Sequence, residues 1–543
     1  MNNVSAYLAK QAESQPQGVA VIAPLKGPAS KPIRCTQKTF AALAAESDAV
    51  CHAFSARGMR RGDRVLLMVK PGLDLIRIVF ALFKMGAVPV TIDPGMGLKG
   101  FLRCVEKSQP QFLVGIPLAL AIARIFPRKF QSLQGRIRVD SAFRQVIEQQ
   151  AATCAPYPAV EVDADELAAI LFTSGSTGPA KGVCYAHGMF AGQVTQIRQT
   201  YGITPGEVDL PMLPVFALFN PALGMTTVVP QMNPSRPAKV DPRRIVQAIR
   251  QFGVTNSFGS PVLWTKIARH CQREKIILPG IRRLLIAGAP VPPSLMRALG
   301  EICPNGPIHT PYGATEALPV SSISATEVLS ETATAQECGA GTCVGMPLRG
   351  MRVRIIDATD AVIPAISNAH LLETGQIGEI IVQGSVVTRS YDNLPEATAA
   401  AKIADDDRFW HRMGDVGYLD ERGRLWFCGR KVERVHTPGG ILYTEPCEAI
   451  FNQHPDVFRS ALIGIGARSA TPAVVIEPEK SAWPRNARQR QRFIDALKTM
   501  AAKHPHTAGI QHYFFCRHFP VDVRHNAKIH RRTLAQRFAK CDG

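Results

Sequence analysis

A stretch rich in glycine, serine and threonine between residues 171 and 183 has the composition of a phosphate-binding loop. It reads LFTSGSTGPAKGV, running from the end of an apolar segment to Lys181. Glycines let backbone N–H groups approach an anion closely, hydroxyls add donors, and lysine adds a full positive charge. The residues predicted to hold phosphate with the lysine are Thr173, Ser174, Gly175, Ser176, Thr177 and Gly178.

The spacing around the lysine excludes an ordinary P-loop NTPase. A Walker A loop has Gly-Lys and then Ser or Thr, whereas here Pro179 and Ala180 precede the lysine and Gly182 follows it. The alternative to a phosphate-binding loop is a Ser/Gly-rich surface turn with no binding role. A flexible linker is disfavoured, because an apolar strand precedes the run and Lys181 follows it.

Four further runs carry groups suited to a nucleotide. AGAP, at residues 287–290, ends a predicted strand with a glycine turn, where open α/β sheets present backbone to ligands. YGATE, at residues 312–316, combines a ring, a hydroxyl and a carboxylate, which suit a base, a phosphate and a magnesium ion. The run from residue 414 to 430 contains Asp415 and Arg430, and RHNAKIHRR holds Lys528 near the end of the chain.

The elements that must position these runs alternate between helix and strand for some three hundred residues. The alternation predicts an α/β fold, with a parallel sheet and crossover helices. Within it we expect a helix over 36–57 and a strand over 209–216. From Val344 the pattern changes to short β runs separated by Gly and Asp turns. It predicts a β-rich subdomain over about 344–430, and a separate module follows Arg430.

Composition narrows the class of protein. The chain has 543 residues, 63 Lys and Arg against 43 Asp and Glu, and a net charge of +20, which favours anionic partners. No basic segment leads into an apolar run at the N-terminus, and no run of about 18 apolar residues occurs. The 13 cysteines show no C-x-x-C spacing and are expected to be buried thiols. We therefore expect a cytoplasmic protein with no transmembrane segment.

Together and in this order, the five runs resemble those of the adenylate-forming superfamily, which contains acyl-CoA synthetases, peptide-synthetase adenylation domains and luciferases. The resemblance covers nearly the whole chain. It implies a large N-terminal domain over 1–430, with mixed parallel sheets, flanking helices and the β-rich subdomain. It further implies a hinge at 431–433 and a small mobile α+β C-terminal domain over 434–543 that carries Lys528.

The same resemblance implies ATP and Mg²⁺ as cofactors and assigns each run a role. The phosphate loop and Lys181 would hold the pyrophosphate end of ATP, and Thr177 and Glu316 the metal. Gly288, Ala289 and Pro290 would border adenine, which stacks on Tyr312 beside Gly313; Asp415 and Arg430 would hold the ribose. The catalytic residues would be Lys528, Thr315, Glu316 and His187, with Thr315 at the α-phosphate and Lys528 bridging it to the carboxylate. A packed core histidine is the alternative for His187.

Several positions depart from the thioester-forming pattern of that superfamily. They are Ala217, Met413, Val432, Pro438 and Ala527. FALFNPALG and VDVRHNAKIHRRTL look most like the olefin-biosynthesis β-lactone synthetase branch. That likeness implies adenylation of a long-chain 3-hydroxy fatty acid, whose own hydroxyl then displaces AMP to close a lactone. The alternative is a medium- or long-chain fatty acyl-CoA synthetase.

Two other classes of function fit the sequence less well. A nucleic-acid-binding protein would use the basic run at residues 484–493, but that run lacks interleaved aromatics and is explained by a solvated helix face. A catalytically dead homologue is disfavoured because Lys181, Glu316, Asp415 and Lys528 are all present. The expected partners are an acyl substrate and ATP, together with neighbouring enzymes of olefin biosynthesis, and not nucleic acid.

Overall fold

A computed structural model describes residues 3–25, 27, 31–172, 180–233, 236–466, 471–522 and 528–539. Its strands are β1 (Val19–Pro24), β2 (Cys35–Thr39), β3 (Arg64–Met68), β4 (Val88–Ile92), β5 (Phe112–Gly115), β6 (Gly135–Arg138), β7 (Leu167–Phe172), β8 (Gly182–Ala186), β9 (Val208–Pro211), β10 (Thr226–Val228), β11 (Asn256–Gly259), β12 (Arg283–Ile286), β13 (Ile308–Ala314), β14 (Ala317–Ser324), β15 (Thr342–Pro347), β16 (Arg352–Ile356), β17 (Gly378–Gln383), β18 (Lys402–Asp405), β19 (Arg408–Leu419), β20 (Leu425–Arg430), β21 (Val435–Thr437), β22 (Gly440–Leu442), β23 (Val457–Ile465), β24 (Thr471–Pro478) and β25 (His512–Phe515).

The α-helices connect and cover these strands. They are α1 (Ser5–Ser14), α2 (Phe40–Ser55), α3 (Leu73–Met85), α4 (Gly97–Ser108), α5 (Pro117–Ile125), α6 (Ser141–Ala151), α7 (His187–Tyr201), α8 (Asn220–Leu223), α9 (Pro242–Gln251), α10 (Pro261–Arg273), α11 (Pro293–Ile302), α12 (Ala325–Glu327), α13 (Ala333–Glu337), α14 (Pro395–Ala401), α15 (Thr444–Phe451), α16 (Ala487–Ala501), α17 (Pro505–Ala508) and α18 (Arg531–Phe538).

One sheet of the described chain has six strands in the order β6-β5-β3-β4-β7-β8, parallel from β6 to β7 and closed by antiparallel β8. Parallel strands need both faces covered, and alternate residues of β3 are buried on opposite faces. Val65 and Leu67 belong to a core that includes α2 and α3 residues, whereas Leu66 belongs to a core that includes α4 and α5 residues. Helices therefore sandwich this sheet.

The second large sheet combines parallel and antiparallel halves. Strands β10, β9, β11, β12 and β13 are parallel neighbours, and β13 through β20 continue the sheet with antiparallel pairs. The predicted α/β fold is confirmed, and the short β runs after residue 344 are antiparallel strands. Because the carboxyl ends of the parallel strands share one edge, the loops after them converge there.

Two predicted elements are wrong in part. The helix expected over 36–57 begins only at Phe40, because Cys35–Thr39 pairs as a strand with β1 and Thr39 then accepts a hydrogen bond from the Ala42 N–H. The strand expected over 209–216 ends at Pro211, and the backbone turns into a 3₁₀ helix at Pro214–Leu218. In both places tertiary pairing or proline outweighs the local pattern.

After Arg430 the chain forms a smaller sheet, β23-β24-β25, covered by α15, α16 and α18. It contacts the larger part through polar bonds. Thr342 Oγ1 donates to Glu445 Oε2 at 3.2 Å, and Gln453 Nε2 donates to the Glu337 carbonyl at 2.6 Å. These bonds hold α15 and the residues just after it against the start of β15 and the end of α13.

None of the helices in the described ranges is long and apolar enough to span a bilayer. The cysteines within these ranges are all free thiols, and most of them are buried.

Candidate active site

Three of the five runs proposed to hold a nucleotide are at the carboxyl ends of parallel strands. Gly288–Pro290 follows β12, and the YGATE run spans the end of β13 and its turn into β14. Thr173, Ser174, Gly175, Ser176, Thr177 and Gly178 lie outside the described residues. Strand β7 ends at Phe172 immediately before them, and Lys181 follows them just before β8.

Two glycines of these turns are required by their surroundings. A Cβ on Gly313 would lie 2.4 Å from the Ala317 carbonyl oxygen, so any larger residue would force the β13–β14 hairpin apart. Gly288 has φ of 98°, a backbone conformation that residues with a Cβ rarely adopt. Both turns therefore depend on glycine for their shape.

A buried carboxylate, a phenol and a guanidinium form the best-defined polar cluster. The Tyr312 hydroxyl donates to Asp415 Oδ2 at 2.7 Å, and Arg430 Nη1 lies 2.8 Å from Asp415 Oδ1. Asp415 and Arg430 face each other in register on β19 and β20. The β19–β20 hairpin thus places Arg430 opposite Asp415, although the two residues are 15 positions apart in the sequence.

The electrostatics of this cluster depend on burial and on three neighbours. Burial raises the pKa of Asp415, while Arg430, the Tyr312 hydrogen bond and the charge of Lys528 oppose that rise. The pKa of Arg430 is raised chiefly by Asp415, and the pKa of Tyr312 is raised by burial and by the carboxylate. The guanidinium and the phenol thus stay protonated, and both favour the charged form of the carboxyl group against the effect of burial.

Lys528, which lies between β25 and α18, is near enough to this cluster for its charge to act on Asp415. Its positive charge lowers the pKa of Asp415, and its carbonyl accepts from the Asp522 N–H at 2.9 Å. Ala527 lies outside the described residues. The structure thus brings together Lys528 and Asp415, which are 113 positions apart in the sequence.

Glu316 and Lys181 converge on one tyrosine that the sequence analysis did not single out. The Tyr391 hydroxyl donates to Glu316 Oε1 at 2.9 Å, and Lys181 Nζ lies 4.6 Å from the centre of the Tyr391 ring. A backbone bond also joins Glu316 to the segment before this tyrosine, because the Thr388 N–H donates to the Glu316 carbonyl at 2.8 Å. Thr315 is held similarly, its carbonyl accepting from the Tyr185 hydroxyl at 2.6 Å.

A second lysine lies beside this group. Lys402 Nζ donates to the Thr388 carbonyl and lies 3.1 Å from His411 Nδ1. Burial lowers the pKa of Lys402 to about 7, and the nearby charge of Glu316 opposes the fall. Burial and Lys402 together lower the pKa of His411 well below its usual value, so the imidazole is neutral. Sequence spacing offers no signal for this pair, since β18 and β19 bring it to Glu316 only after folding.

His187 lies in a different environment. Its side chain is buried, its Nδ1 accepts from the Val4 N–H at 3.3 Å, and its ring meets Phe83 edge to face at 5.9 Å between centroids. Burial lowers its pKa to about 4. These contacts are those of a packed core histidine, the alternative that the sequence left open.

An apolar cavity adjoins the nucleotide residues, between α7 and the parallel strands. The space between its lining residues totals about 590 Å³, a figure that includes open solvent. Pro311, which directly precedes Tyr312, lines the cavity, as does Leu285, three residues before the AGAP glycine. Phe216, Phe219 and Leu223 of the FALFNPALG run line it as well, so this run helps form an apolar pocket beside the polar cluster.

The cavity also contains a buried carboxyl group. Asp209 Oδ2 accepts from Asn220 Nδ2 at 2.9 Å, and burial raises the Asp209 pKa to about 7. Asp209 pairs with Asn256 at the start of β11, so it lies toward the strand ends opposite those that lead to AGAP and YGATE. The pocket therefore has a polar group at the end farther from Tyr312.

Within the described ranges, no three His, Cys, Asp or Glu side chains cluster as a metal cage. The donor set near Glu316 consists of this partly exposed carboxylate and the Tyr391 hydroxyl. A single protein carboxylate is enough to hold a hard cation that keeps several waters and takes its other ligands from phosphates. Mg²⁺ is such a cation.

Comparisons with known proteins agree on a family. Residues 8–392 match the family model described as AMP-binding enzyme. The chain is 43% identical over 546 residues to an olefin beta-lactone synthetase of Xanthomonas campestris pv. campestris, covering 98% of this chain and 97% of that protein. A protein of the same name from Stenotrophomonas maltophilia is 42% identical over 548 residues, with 98% and 97% covered. ATP-bound MatB from Rhodopseudomonas palustris shares the fold, with a TM-score of 0.80, 21% identity and both chains fully covered.

Proposed function

Because the chain belongs to the AMP-binding enzyme family, we propose that it adenylates a long-chain 3-hydroxy fatty acid and closes the adenylate to a β-lactone. The products are the lactone, AMP and pyrophosphate. One observation carries this proposal: two relatives, each matched over 97% of its own length at 42–43% identity, are named olefin beta-lactone synthetase. The apolar cavity beside Tyr312 supports an acyl substrate rather than a polar one.

The nucleotide would be held by the polar cluster. Asp415, fixed by Arg430 and Tyr312, accepts the ribose hydroxyls, and the Tyr312 ring offers a face to adenine. Gly288–Pro290 borders the base with backbone atoms. Lys181 and the glycine-rich loop neutralise the phosphates, with Thr315 at the α-phosphate. Glu316, together with Thr177, would hold a magnesium ion, which supplies charge neutralisation to the polyphosphate when bound.

In the first step, a carboxylate oxygen of the acid attacks the α-phosphorus of ATP, and the bond to pyrophosphate breaks. The new acyl-phosphate bond makes AMP the leaving group of the next step. Lys528 stabilises the charge that gathers on the α-phosphoryl oxygens and on the attacking carboxylate. Its approach to Asp415 supports this role, because that carboxylate binds the ribose of the same nucleotide.

In the second step, the 3-hydroxyl oxygen attacks the acyl carbon, loses its proton, and AMP departs. The nucleophile and the electrophile lie in one molecule, so holding the acyl chain of the substrate in a folded conformation brings them together. A free thiol would need a binding site of its own to come equally close. Ala217 lies buried in the region where the superfamily commonly has an aromatic-His pair, and Met413 is buried beside Arg430. These apolar replacements, with Val432, Pro438 and Ala527, support a reaction that needs no thiol acceptor.

A role for His187 in this chemistry and mobility of residues 434–543 about 431–433 stay predictions. Association with neighbouring enzymes of olefin biosynthesis is likewise a prediction. None of them is needed for the two steps above.

The deciding experiment compares acceptors. Purified protein is incubated with ATP, magnesium and either a long-chain 3-hydroxy acid or the matching plain acid, with and without CoA. We expect lactone from the hydroxy acid at a rate indifferent to CoA, and no product beyond adenylate from the plain acid. Acyl-CoA forming from either acid as fast as the adenylate would replace this proposal by an acyl-CoA synthetase.

A further inference from the structure

The outward face of α4 and α5 carries large apolar side chains in contact with solvent. Leu118 and Ile125 are 64% and 68% exposed, the two highest values among large apolar side chains of the described residues. Leu98 at the start of α4 is 50% exposed. Single exposed apolar residues are common on protein surfaces. A binding role for this face therefore depends on how these side chains are arranged and on the charges around them.

The periodicity of α5 shows that this face is a regular feature of the helix. Ala119 and Ala123, four positions apart, are fully buried against the six-stranded sheet. Leu118 and Ile125, seven positions apart, lie on the opposite side. Leu120 and Ile122 pack partly against the same core, so α5 carries large apolar residues on its solvent face as well as on its buried face, unlike an ordinary water-exposed helix.

The two helices lie on one side of the sheet. Residues of both belong to the same core cluster, and a 3₁₀ helix at Pro127–Lys129 packs between them through the Lys129–Glu106 ion pair of 2.7 Å. Both helices begin soon after the carboxyl ends of their strands, β4 and β5. Leu98 and Leu118 therefore lie at the sheet edge where β7 leads into the proposed phosphate loop.

Charge around this face has one sign. From residue 97 to 129 there are six Lys and Arg and one acidic residue, Glu106, which is the partner of Lys129. Among the basic residues, Lys99, Arg103, Lys107, Arg124 and Arg128 are exposed. Cationic side chains next to outward leucine and isoleucine suit a partner with an anionic surface above an apolar layer.

We propose that the α4–α5 face, meaning the outward side chains of residues 97–129, docks on an anionic lipid surface. The basic side chains contact lipid phosphates, and Leu98, Leu118 and Ile125 enter the boundary between headgroups and acyl chains. Docking there places the nucleotide edge of the sheet close to the bilayer, in which a long-chain acid and its lactone dissolve. The proposal goes beyond lactone formation and does not depend on it, because it rests on the surface alone.

The test is co-sedimentation of the full chain with vesicles of phosphatidylcholine, with and without phosphatidylglycerol. Wild-type protein should bind the anionic vesicles and lose affinity as salt is raised. Leu118→Ser with Ile125→Ser should weaken binding by at least about tenfold. Arg124→Glu with Arg128→Glu should weaken it at least as much, since each basic residue near the surface contributes roughly fivefold.

Matched controls lie elsewhere on the protein. Arg488→Glu with Arg492→Glu reverses two exposed charges with the same spacing on α16, and Phe458→Ser removes an apolar side chain that is 46% exposed. Both should leave vesicle binding within about twofold of wild type. Adenylate formation with dissolved substrate should be unchanged in every variant, which shows that they fold.

Three results would overturn the proposal. Wild-type protein could fail to bind anionic vesicles. Alternatively, the variant with Arg488→Glu and Arg492→Glu could lose as much affinity as the variant with Arg124→Glu and Arg128→Glu. Self-association abolished by the Leu118 and Ile125 changes, with no vesicle binding, would instead make this face an interface between two copies of the chain.

Discussion

Replacing Asp415 by Asn tests the proposed ribose site directly. The substitution keeps the size of the side chain and an oxygen that can accept from Tyr312, but removes the charge opposite Arg430. Breaking a buried ion pair costs about 3–5 kcal/mol. Because the Arg430 side chain is 29% exposed and can recover some hydration, we expect a loss near the lower end, about 3 kcal/mol of unfolding free energy.

The effect on ATP follows from the hydrogen bonds to the sugar. A bond from a hydroxyl to a charged acceptor contributes about 1.5–3 kcal/mol, against roughly 1 kcal/mol for a neutral one. Asp415→Asn should therefore weaken ATP binding by about 30-fold if both ribose hydroxyls use this carboxylate. Removing the 2′-hydroxyl from the ligand should cost the wild type at least tenfold, and the variant only a few-fold.

The assay is calorimetric titration of both proteins with ATP and with 2′-deoxy-ATP. Asp420→Asn is a matched control, because Asp420 also pairs with an arginine, Arg424 at 2.8 Å, and accepts from an aromatic donor, Trp426 Nε1 at 2.9 Å. The control should lose stability but keep its affinity for both nucleotides. Equal discrimination against 2′-deoxy-ATP by wild type and Asp415→Asn would refute the ribose assignment.

Three further predictions concern the other groups of the site. Lys528→Ala should reduce adenylate formation by at least about a hundredfold while ATP affinity changes only a few-fold, because the lysine acts on the transition state; survival of turnover within about threefold would remove it from that role. Glu316→Gln keeps an acceptor for Tyr391 but loses the charge, so its activity should fall and recover partly with excess magnesium; an unchanged magnesium dependence would place the metal elsewhere. Burial raises the Asp209 pKa from 3.8 to about 7, so between these pH values the native state holds a proton that the unfolded state releases. The free energy of unfolding should therefore decline as the pH rises through this range, by up to about 1.4 kcal/mol per pH unit. Asp209→Asn should flatten that decline in urea titrations, and an unaltered slope would assign it to another group.

The sequence singled out Tyr312, Asp415 and Arg430, and the structure brings these three residues into one polar cluster; their role toward ATP stays a prediction. Asp415 and Arg430 meet because a hairpin of the right length returns one to the other. Tyr391 and Lys402 were missed because they reach Glu316 only through tertiary contacts of β18, β19 and the segment before α14. Nothing in their local spacing signals a site.

Local periodicity failed for a related reason at residues 36–39. These residues fit a helical pattern, yet pairing with β1 completes the edge of a sheet and moves the helix start to Phe40. His187 illustrates the converse case. Its position in the sequence matched a family pattern, whereas its burial and its bond to the Val4 N–H depend on the N-terminal segment, which the pattern does not include.

The central claim, adenylation followed by closure on the substrate's own hydroxyl, can be followed by the fate of oxygen atoms. A long-chain 3-hydroxy acid labelled with oxygen-18 in both carboxyl positions is incubated with the protein, ATP and magnesium, without CoA, and the masses of AMP and the organic product are measured. The account predicts one labelled oxygen in AMP, one in the lactone carbonyl, and an unlabelled ring oxygen from the 3-hydroxyl. Unlabelled AMP, or labelled AMP with no lactone until CoA is added, would contradict it.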